Sequence, residues 1–320
     1  MDVLKVELAQ THSTDGYFAT PTATAAEVAL SNTYRSNGHT GTHTAITDFR
    51  TSVSTCDFAS LFAGHLLRRP TVSVIIPALN EAENLPHVLP KIPAWVDEVI
   101  LIPGPSTDGT SDVARALLPS IRIVEQEGKG KGAALRSGVR AATGEIVVLM
   151  DADGSTDPTE IPAFVAALMC GADYAKGSRF LQGAGTDDMP LFRQLGNSGL
   201  TMLTNILFRT RYSDITYGYN ALWRKCADAL AFEIDGWACE IIGNIRAAKN
   251  GLRIVEVPSF ERSRIAGEAK LSTFSAGWTI LLAILREAAE RRKNDTNRRH
   301  EMRLKLLEQT TLPSARRSSS

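Results

Sequence analysis

The segment that most constrains the fold is an apolar run that ends in two aspartates, Asp151 and Asp153. The residues before them, Val147–Met150, are all apolar, as expected for a strand buried inside a sheet. Alternate residues of an extended chain point to the same side, so a turn after this strand can direct both carboxylates toward one point. Open α/β sheets bind their ligands at the carboxyl edge. The segment therefore predicts a ligand site at the end of a central strand.

The chemistry predicted for this pair of carboxylates is divalent-metal binding. Carboxylate oxygens are hard ligands that suit Mg²⁺ or Mn²⁺, and these ions complete their coordination with water and substrate phosphates. An acidic turn without a ligand is the alternative for an isolated Asp-x-Asp sequence. The surrounding pattern favours the metal site.

Strands alternate with helices along the chain, which predicts a doubly wound, mainly parallel α/β sheet with helices on both faces. The predicted strands are residues 72–77, 99–102, 121–124, 145–150, 173–176, 217–223 and 253–257. The predicted helices are one capped by Asn80, then residues 111–117, 133–142, 159–169, 192–208 and 238–249, and a last one from about residue 274.

Three regions are predicted along the 320 residues. Residues 1–57 are rich in Thr, Ser, Ala and Asn without a helical or strand period, and we expect them to be disordered. Residues 58–285 are expected to form the α/β domain. Residues 286–320 are expected to form a charged helix and a tail rich in Ser and Arg.

The composition gives no support to several classes of protein. The net charge is zero, so nothing in the overall charge indicates nucleic-acid binding. The longest apolar stretch, Ala276–Leu285, is about half of a membrane span. Met1–Leu30 has neither the basic start nor the apolar run of a signal peptide. We therefore expect a cytoplasmic protein, either free or bound peripherally to a membrane.

The loop Gly128–Gly132 alternates glycine with lysine before a predicted helix. Glycines at a helix start let backbone amides approach an anion, and Lys129 and Lys131 add positive charge. The spacing is not that of a Walker A loop, and the loop follows the third predicted strand instead of the first. These residues alone leave two interpretations open, a phosphate-binding loop or a flexible turn with two solvated lysines.

Four segments, in this order, resemble family 2 glycosyltransferases of the GT-A fold. They are Ile76–Glu81, Ser106–Thr110, Gly128–Leu135 and Asp151–Asp153. The resemblance extends over about residues 71–285 and implies an inverting transfer from a nucleotide-diphosphate sugar. The later part of the chain is similar to the dolichyl- or polyprenyl-phosphate sugar synthase branch. The residues of that second likeness are Gly177–Phe180, Arg193, Trp223–Lys225, Glu240 and Arg264–Lys270.

The resemblance also implies roles for individual residues. Those in nucleotide-sugar positions of the family are Pro77, Leu79, Glu81, Asp108, Lys129, Lys131, Ala152 and Arg179. Those in positions for the acceptor or its phosphate are Arg193, Lys225, Arg264 and Lys270. Asp151 and Asp153 would hold the Mg²⁺ or Mn²⁺ that neutralises charge on the departing nucleotide diphosphate.

The class of acceptor decides whether a general base is needed. A polyprenyl phosphate is already an anion at neutral pH and needs none, and it is the favoured acceptor. A hydroxyl of a small metabolite or glycan needs a base within hydrogen-bond reach, for which Asp214 is the candidate. A nucleotidyltransferase is disfavoured because no glycine-rich loop follows the first strand. A non-catalytic nucleotide-binding module is the alternative from another class.

Overall fold

The computed structural model describes residues 68–230, 236, 238–267 and 276–290. All of them belong to one compact unit. The predicted tail at 1–57, the predicted site residue Lys270 and residues 291–320 lie outside the described residues.

A seven-stranded mixed sheet forms the centre of the described region, in the order β3-β2-β1-β4-β7-β5-β8. Its strands are β1 (Val72–Pro77), β2 (Glu98–Ile102), β3 (Arg122–Ile123), β4 (Ile146–Leu149), β5 (Tyr174–Ser178), β7 (Asn220–Trp223) and β8 (Ile254–Pro258). Strand β7 runs antiparallel to both of its neighbours, and the other pairings are parallel. A separate pair joins β6 (Gly185–Thr186) to β9 (Phe260–Glu261). The prediction of a mainly parallel sheet is confirmed.

Helices cover both faces of this sheet. They are α1 (Leu85–Val88), α2 (Thr110–Leu117), α3 (Gly130–Ala141), α4 (Ile161–Met169), α5 (Leu191–Phe208), α6 (Ala227–Leu230), α7 (Cys239–Lys249) and α8 (residues 276–290). Among the helices described here, none is long and apolar enough to cross a membrane.

Alternation along β1 builds a separate apolar core on each face of the sheet. Val74 and Ile76 pack in one cluster with Phe164 of α4. Ile75 packs in the other cluster with Leu135 of α3. All five side chains are fully or almost fully buried, as expected for strands covered by helices on both faces.

The order in which strands are added to the sheet reverses between β1 and β4, which lie side by side. Backbone hydrogen bonds between the strands continue to the carboxyl edge of the sheet. There the amide of Met150 donates to the carbonyl of Ile75 at 3.2 Å, and the amide of Ala78 donates to the carbonyl of Ile102 at 2.9 Å. The loop after β1 and the turn after β4 therefore leave the sheet at the same edge. Ligands of open α/β sheets bind at such a reversal.

Two local predictions were wrong. Asn80 does not cap a helix: its φ is 52°, its side chain accepts a hydrogen bond from the amide of Thr107 at 2.8 Å, and the next helix begins only at Leu85. The helix after the glycine-lysine loop begins at Gly130, three residues earlier than predicted, so Lys131 lies in its first turn. The loop after β1 is held by contacts with a distant loop, which local sequence preferences do not indicate.

Gly138 and Gly196 provide a matched test of how tightly α3 packs on the sheet. A Cβ added at Gly138 would lie 2.4 Å from Cγ2 of Ile75 and 2.8 Å from Cδ1 of Ile102, whereas one added at Gly196 of α5 would meet nothing within 4 Å. We expect Gly138→Ala to lower the free energy of unfolding by about 1–3 kcal/mol through overpacking. Gly196→Ala should raise it by up to about 1 kcal/mol through helix propensity. Urea unfolding measures both, and equal losses would contradict the prediction.

Candidate active site

The loop that follows β1 is anchored by side chains of the segment Ser106–Thr110. The amide of Glu81 donates to Oγ1 of Thr110 at 3.0 Å. The carboxylate of Asp108 accepts from the amide of Ala82 at 2.9 Å and from the amide of Thr110 at 3.0 Å. Short polar side chains thus satisfy the backbone of this loop. Both oxygens of Asp108, a predicted nucleotide-sugar contact, are used in this anchoring.

Glu81 and Asn84 tie this loop to a segment far along the chain. The buried carboxylate of Glu81 accepts from Nδ2 of Asn84 at 2.6 Å and lies 3.7 Å from Nη1 of Arg264. Nδ2 of Asn84 also donates to the backbone carbonyl of Ala266 at 3.2 Å, and Oδ1 of Asn84 accepts from the backbone amide of Ala266 at 2.9 Å. A cleft of about 250 Å³ lies between the two segments. Its lining residues are Asn80, Glu81, Glu83, Asn84, Asp108, Arg264, Ala266 and Gly267.

Asp153 connects the turn after β4 to the same distant segment. Its Oδ2 lies 2.7 Å from Nη2 of Arg264, and its Oδ1 accepts from the amide and hydroxyl of Ser155 at 3.0 and 2.6 Å. The amide of Ile265 donates to the Asp153 carbonyl at 3.2 Å. Gly154 has a φ of 82°, and an added Cβ would lie 2.4 Å from Cδ1 of Ile265. Glycine is therefore required where the two segments meet.

The ammonium group of Lys131 bridges Asp151 and Glu240. Its Nζ lies 2.5 Å from Oδ1 of Asp151 and 2.8 Å from Oε1 of Glu240. Gly130 begins α3 with a φ of 79°, which places Lys131 in the first turn. Glu240 extends to the site from the first turn of α7, and its carboxylate lies directly against Gly218. A Cβ added at Gly218 would be 2.5 Å from the carboxylate of Glu240, so a side chain there would displace it.

Negative charge is crowded around Asp151. Burial raises the pKa of Asp151 most, Lys131 lowers it, and Glu240 and Asp153 raise it further, giving a pKa of about 6. Burial lowers the pKa of Lys131, but the charges of Asp151 and Glu240 outweigh it and raise that pKa, so the lysine stays protonated. A divalent cation would relieve this crowding of carboxylates.

The protein supplies few metal ligands of its own at this edge. No group of three or more acidic, histidine or cysteine side chains that could hold a metal occurs in residues 68–230, 238–267 and 276–290. A metal bound by Asp151 and Asp153 would take its other ligands from water and from ligand oxygens, a coordination habit typical of Mg²⁺.

Arg179 and Asp214 form the centre of a buried network. Nε and Nη2 of Arg179 donate to the two oxygens of Asp214 at 2.7 and 2.9 Å. Nη1 donates to the carboxylate of Glu261 at 3.0 and 3.1 Å, and Nη2 also donates to Oγ1 of Thr216 at 2.8 Å. The guanidinium lies over the ring of Tyr217, 4.9 Å from its centroid. All donors of Arg179, a predicted nucleotide-sugar contact, are satisfied within the protein.

This environment does not favour Asp214 as a general base. Its side chain has no exposed surface, and it also accepts from Nδ2 of Asn197 and from the amide of Thr216, each at 3.1 Å. Burial alone would raise the pKa of Asp214, but the hydrogen bonds and charge of Arg179 lower it to about 2. A carboxylate with such a pKa is a weak proton acceptor at neutral pH.

Lys225 lies at the opposite edge of the sheet from the aspartates. Strand β7 is antiparallel and pairs Trp223 with Ile146 at the beginning of β4, whereas Asp151 follows its end. The exposed Nζ of Lys225 lies 5.7 Å from the centroid of the Trp223 ring. The structure therefore does not bring Lys225 together with the other predicted phosphate contacts, because β7 runs antiparallel to β4, which the pattern of the sequence did not indicate.

The other predicted residues occupy varied positions. Pro77 ends β1, Leu79 follows it with 39% of its surface exposed, and Ala152 is buried between the two aspartates. Lys129 is exposed just before α3. Arg193 lies in the first turn of α5 and donates to a backbone carbonyl of the preceding loop at 3.1 Å.

Three residues of this arrangement had no predicted role: Asn84, Glu240 and Glu261. The partners of Asn84 and Glu261 lie 182 and 82 residues away in the chain. No local pattern signals such a contact. Glu240 belongs to the segments that resemble the polyprenyl-phosphate branch, and that likeness is the only signal the sequence carries for it.

The Arg179–Asp214 pair yields a prediction about stability. Asp214→Asn removes a buried countercharge, so the free energy of unfolding at neutral pH should fall by about 3 kcal/mol or more. The pKa of Asp214 in the folded state, about 2, is below its ordinary value of 3.8. Its stabilisation is therefore present above about pH 4 and is lost as the pH falls toward 2, so variant and wild type should converge in acid.

Denaturant titrations at neutral and acidic pH test this, with the exposed Asp112→Asn as the matched control. A variant of unchanged stability without turnover would instead support Asp214 as a base.

Comparison with known proteins identifies the family. Residues 73–229 match the model of glycosyl transferase family 2. The chain is 32% identical over 225 residues to a dolichyl-phosphate hexose transferase of Haloferax volcanii, covering 69% of this chain and 95% of that protein. It is 33% identical over 222 residues to an undecaprenyl-phosphate mannosyltransferase of Micrococcus luteus, covering 66% and 91%.

Solved structures of glucosyl-3-phosphoglycerate synthase from Mycobacterium tuberculosis share the fold. The complex with Mn²⁺, UDP and phosphoglyceric acid has a TM-score of 0.52 at 24% identity, covering 68% of this chain and 78% of that one. The complex with Mg²⁺ and UDP has a TM-score of 0.54 at 24% identity, covering 73% and 83%. The predicted GT-A type of fold is confirmed, and with the family model and the curated relatives in agreement, this chain belongs to glycosyl transferase family 2.

Proposed function

We propose that this glycosyltransferase is metal-dependent and inverting, and that it moves a sugar from a nucleotide-diphosphate sugar to a polyprenyl phosphate. The observation that carries the proposal is the pair Asp151 and Asp153 at the edge where β1 and β4 meet, beside the cleft walled by Glu81 and Arg264. The acceptor is supported by the curated relatives, which are named for transfer to dolichyl and undecaprenyl phosphates.

The two aspartates fit a divalent cation. In the structure each already holds a protein cation, Lys131 on Asp151 and Arg264 on Asp153. The structural neighbours are complexes with Mn²⁺ or Mg²⁺ and UDP, which supports Mg²⁺ or Mn²⁺ as the cofactor. A bound ion would supply Lewis-acid charge neutralisation for the departing nucleotide diphosphate.

The donor is proposed to bind along the loops after β1 and β2. Pro77, at the end of β1, and the exposed Leu79 are proposed to offer apolar surface to the base and ribose, and Glu81 lines the cleft that follows them. Lys129 and Lys131 stand at the N-terminus of the twelve-residue helix α3, where the helix dipole favours an anion such as a diphosphate. Asp108 and Arg179 would act by shaping this site, since their polar groups are used within the protein, and Ala152 by its buried position between the two aspartates.

The acceptor is proposed to attack without a base. A polyprenyl phosphate is ionised at neutral pH, so its oxygen can attack the anomeric carbon from the side opposite the departing diphosphate and invert that carbon. Arg264 lies beside Asp153 and is proposed to hold a phosphate oxygen, since a guanidinium can bind phosphate in a bidentate manner. From the family likeness, Arg193 and Lys270 are further proposed contacts of the acceptor. For an acceptor of this kind we propose that the enzyme works peripherally at a membrane surface, on the cytoplasmic side.

A transfer assay with the purified full-length chain tests this function. Nucleotide-diphosphate sugars and Mn²⁺ are supplied with a short, water-soluble polyprenyl phosphate, with 3-phosphoglycerate, or with no acceptor. We expect release of nucleotide diphosphate that requires the polyprenyl phosphate and matches the glycolipid formed. Release that requires 3-phosphoglycerate instead would overturn the acceptor. Donor binding without release in any mixture would support the non-catalytic module.

The same assay tests the metal assignment. Asp153→Asn should reduce the rate at least about 100-fold, which corresponds to about 2.7 kcal/mol of transition-state stabilisation. Excess EDTA should abolish the wild-type rate. Asp112→Asn, on the exposed side of α2, is the matched control and should behave as wild type. Full activity of Asp153→Asn in EDTA would refute a metal held by these residues.

Lys131 is expected to compete with the metal for Asp151. Its ammonium neutralises Asp151 and Glu240 when no other cation is bound. Lys131→Met leaves these carboxylates without that partner, so Mn²⁺ should bind about tenfold more tightly, or about 1.4 kcal/mol. Nucleoside diphosphate should bind more weakly because a positive charge is gone. Isothermal titration calorimetry measures both, and unchanged or weaker Mn²⁺ binding would contradict the prediction.

A further inference from the structure

Helix α5 carries a row of large apolar side chains on the side that faces away from the protein. Five of them are between 63% and 76% exposed: Leu191, Phe192, Leu195, Met202 and Ile206. The fully buried residues on the other side are Asn197, Thr201, Thr204 and Phe208. Leu200, Leu203 and Leu207 lie between the two sides, partly buried against an apolar cluster. A helix on the surface of a globular domain normally has the reverse arrangement.

The polar side of α5 is held in place by specific hydrogen bonds. Asn197 donates to Asp214 at 3.1 Å and accepts from the hydroxyl of Thr216 at 2.8 Å. Oγ1 of Thr201 accepts from the amide of Ile215 at 3.2 Å. The buried network around Arg179 thus fixes the rotation of the helix, and the apolar side is left outward.

Helix α8 adds a second row of exposed apolar side chains. Trp278, Leu282 and Leu285 are 46–63% exposed and recur at helical spacing. On the other side, Ile280 and Ile284 are buried in a cluster that also receives side chains from α5. The eight exposed residues on α5 and α8 are called the outer apolar surface. Isolated exposed apolar residues are ordinary, but a group of this size marks an interaction site.

Positive charge accompanies the α5 part of this surface. Residues 191–211 contain Arg193, Arg209 and Arg211 and no acidic residue. On α8 the exposed Arg286 is balanced by the exposed Glu290, while Glu287 is buried in ion pairs with Arg246 and Lys249 of α7. A surface that combines exposed apolar side chains with arginines has the chemistry of a helix lying in the headgroup region of an anionic bilayer.

We propose that the outer apolar surface docks this enzyme on an anionic lipid bilayer, with α5 lying in the membrane plane. The inference rests on the proposed function, because a polyprenyl phosphate presents its phosphate at the membrane surface. The chain connects α5 to the site. Strand β6, just before α5, pairs with β9, and β9 leads into the segment from which Arg264 contacts Asp153. Docking through α5 therefore brings the site close to the headgroups.

Vesicle sedimentation with the full-length protein tests the docking. The vesicles contain phosphatidylcholine alone or with phosphatidylglycerol. We expect wild type to bind the anionic vesicles, and Leu195→Gln/Ile206→Gln to bind at least about tenfold more weakly. Leu117→Gln, which changes an exposed leucine of α2 outside the surface, is the matched control and should bind as wild type. Thermal unfolding checks that each variant is folded. Trp278→Gln/Leu282→Gln, on α8, is a second test pair and should also weaken binding.

The acceptor then separates this inference from the proposed function. The α5 variant should transfer sugar to a short soluble polyprenyl phosphate at the wild-type rate, but lose most transfer to a long-chain polyprenyl phosphate in vesicles. Wild type that transfers to the soluble acceptor without binding either vesicle would overturn the docking and leave the function standing. Vesicle binding without any transfer would overturn the proposed function and leave the docking standing. A dimer that Leu195→Gln/Ile206→Gln dissociates, with no vesicle binding, would make this surface a contact between copies and overturn the proposal.

Discussion

The arrangement of the site depends on matching crowded carboxylates with cations at the carboxyl edge of the sheet. Asp151 and Asp153 leave β4 beside the loop after β1, and each needs a positive partner. Lys131 meets the first from the start of α3, and Arg264 meets the second from the segment after β9. These ion pairs therefore join three parts of the chain that the sheet alone would not hold together. The same carboxylates are the proposed ligands of a metal, so the pairs also set the state from which a metal would bind.

A second group of charges, around Arg179, has a different role. Its donors are all used by Asp214, Glu261 and Thr216, and the pair is almost completely buried. A buried ion pair of this kind is weak evidence for stability as such, but it specifies geometry because either partner alone is costly. Here it fixes the rotation of α5 through Asn197. The outward apolar side of α5 is thus a consequence of polar packing in the interior.

The sequence indicated the fold and the position of the two aspartates at the end of β4 well, because both depend on local patterns. Apolar runs predicted β1 and β4, and the aspartates follow the second run directly. Contacts across long separations could not be predicted in this way: Asn84 meets Ala266, and Glu261 meets Arg179, only after the chain has folded. The position of Lys225 depended on the direction of β7, which an apolar segment does not encode. The exposure of α5 was equally hidden, since a periodic helix shows that it has two sides but not which one faces the core.

The chemistry of the proposed acceptor offers a reason why Asp214 can be buried. A hydroxyl acceptor would require an acid with a raised pKa and an open face, but Asp214 has neither, since Arg179 lowers its pKa to about 2. An acceptor that arrives as an anion needs positive charge to offset its repulsion from the donor diphosphate, and the described site provides this through Lys129, Lys131 and Arg264. Lys131 and Arg264 are shared with the aspartates, so binding of a metal would free them for phosphate. Metal binding and phosphate binding are then coupled through the same carboxylates.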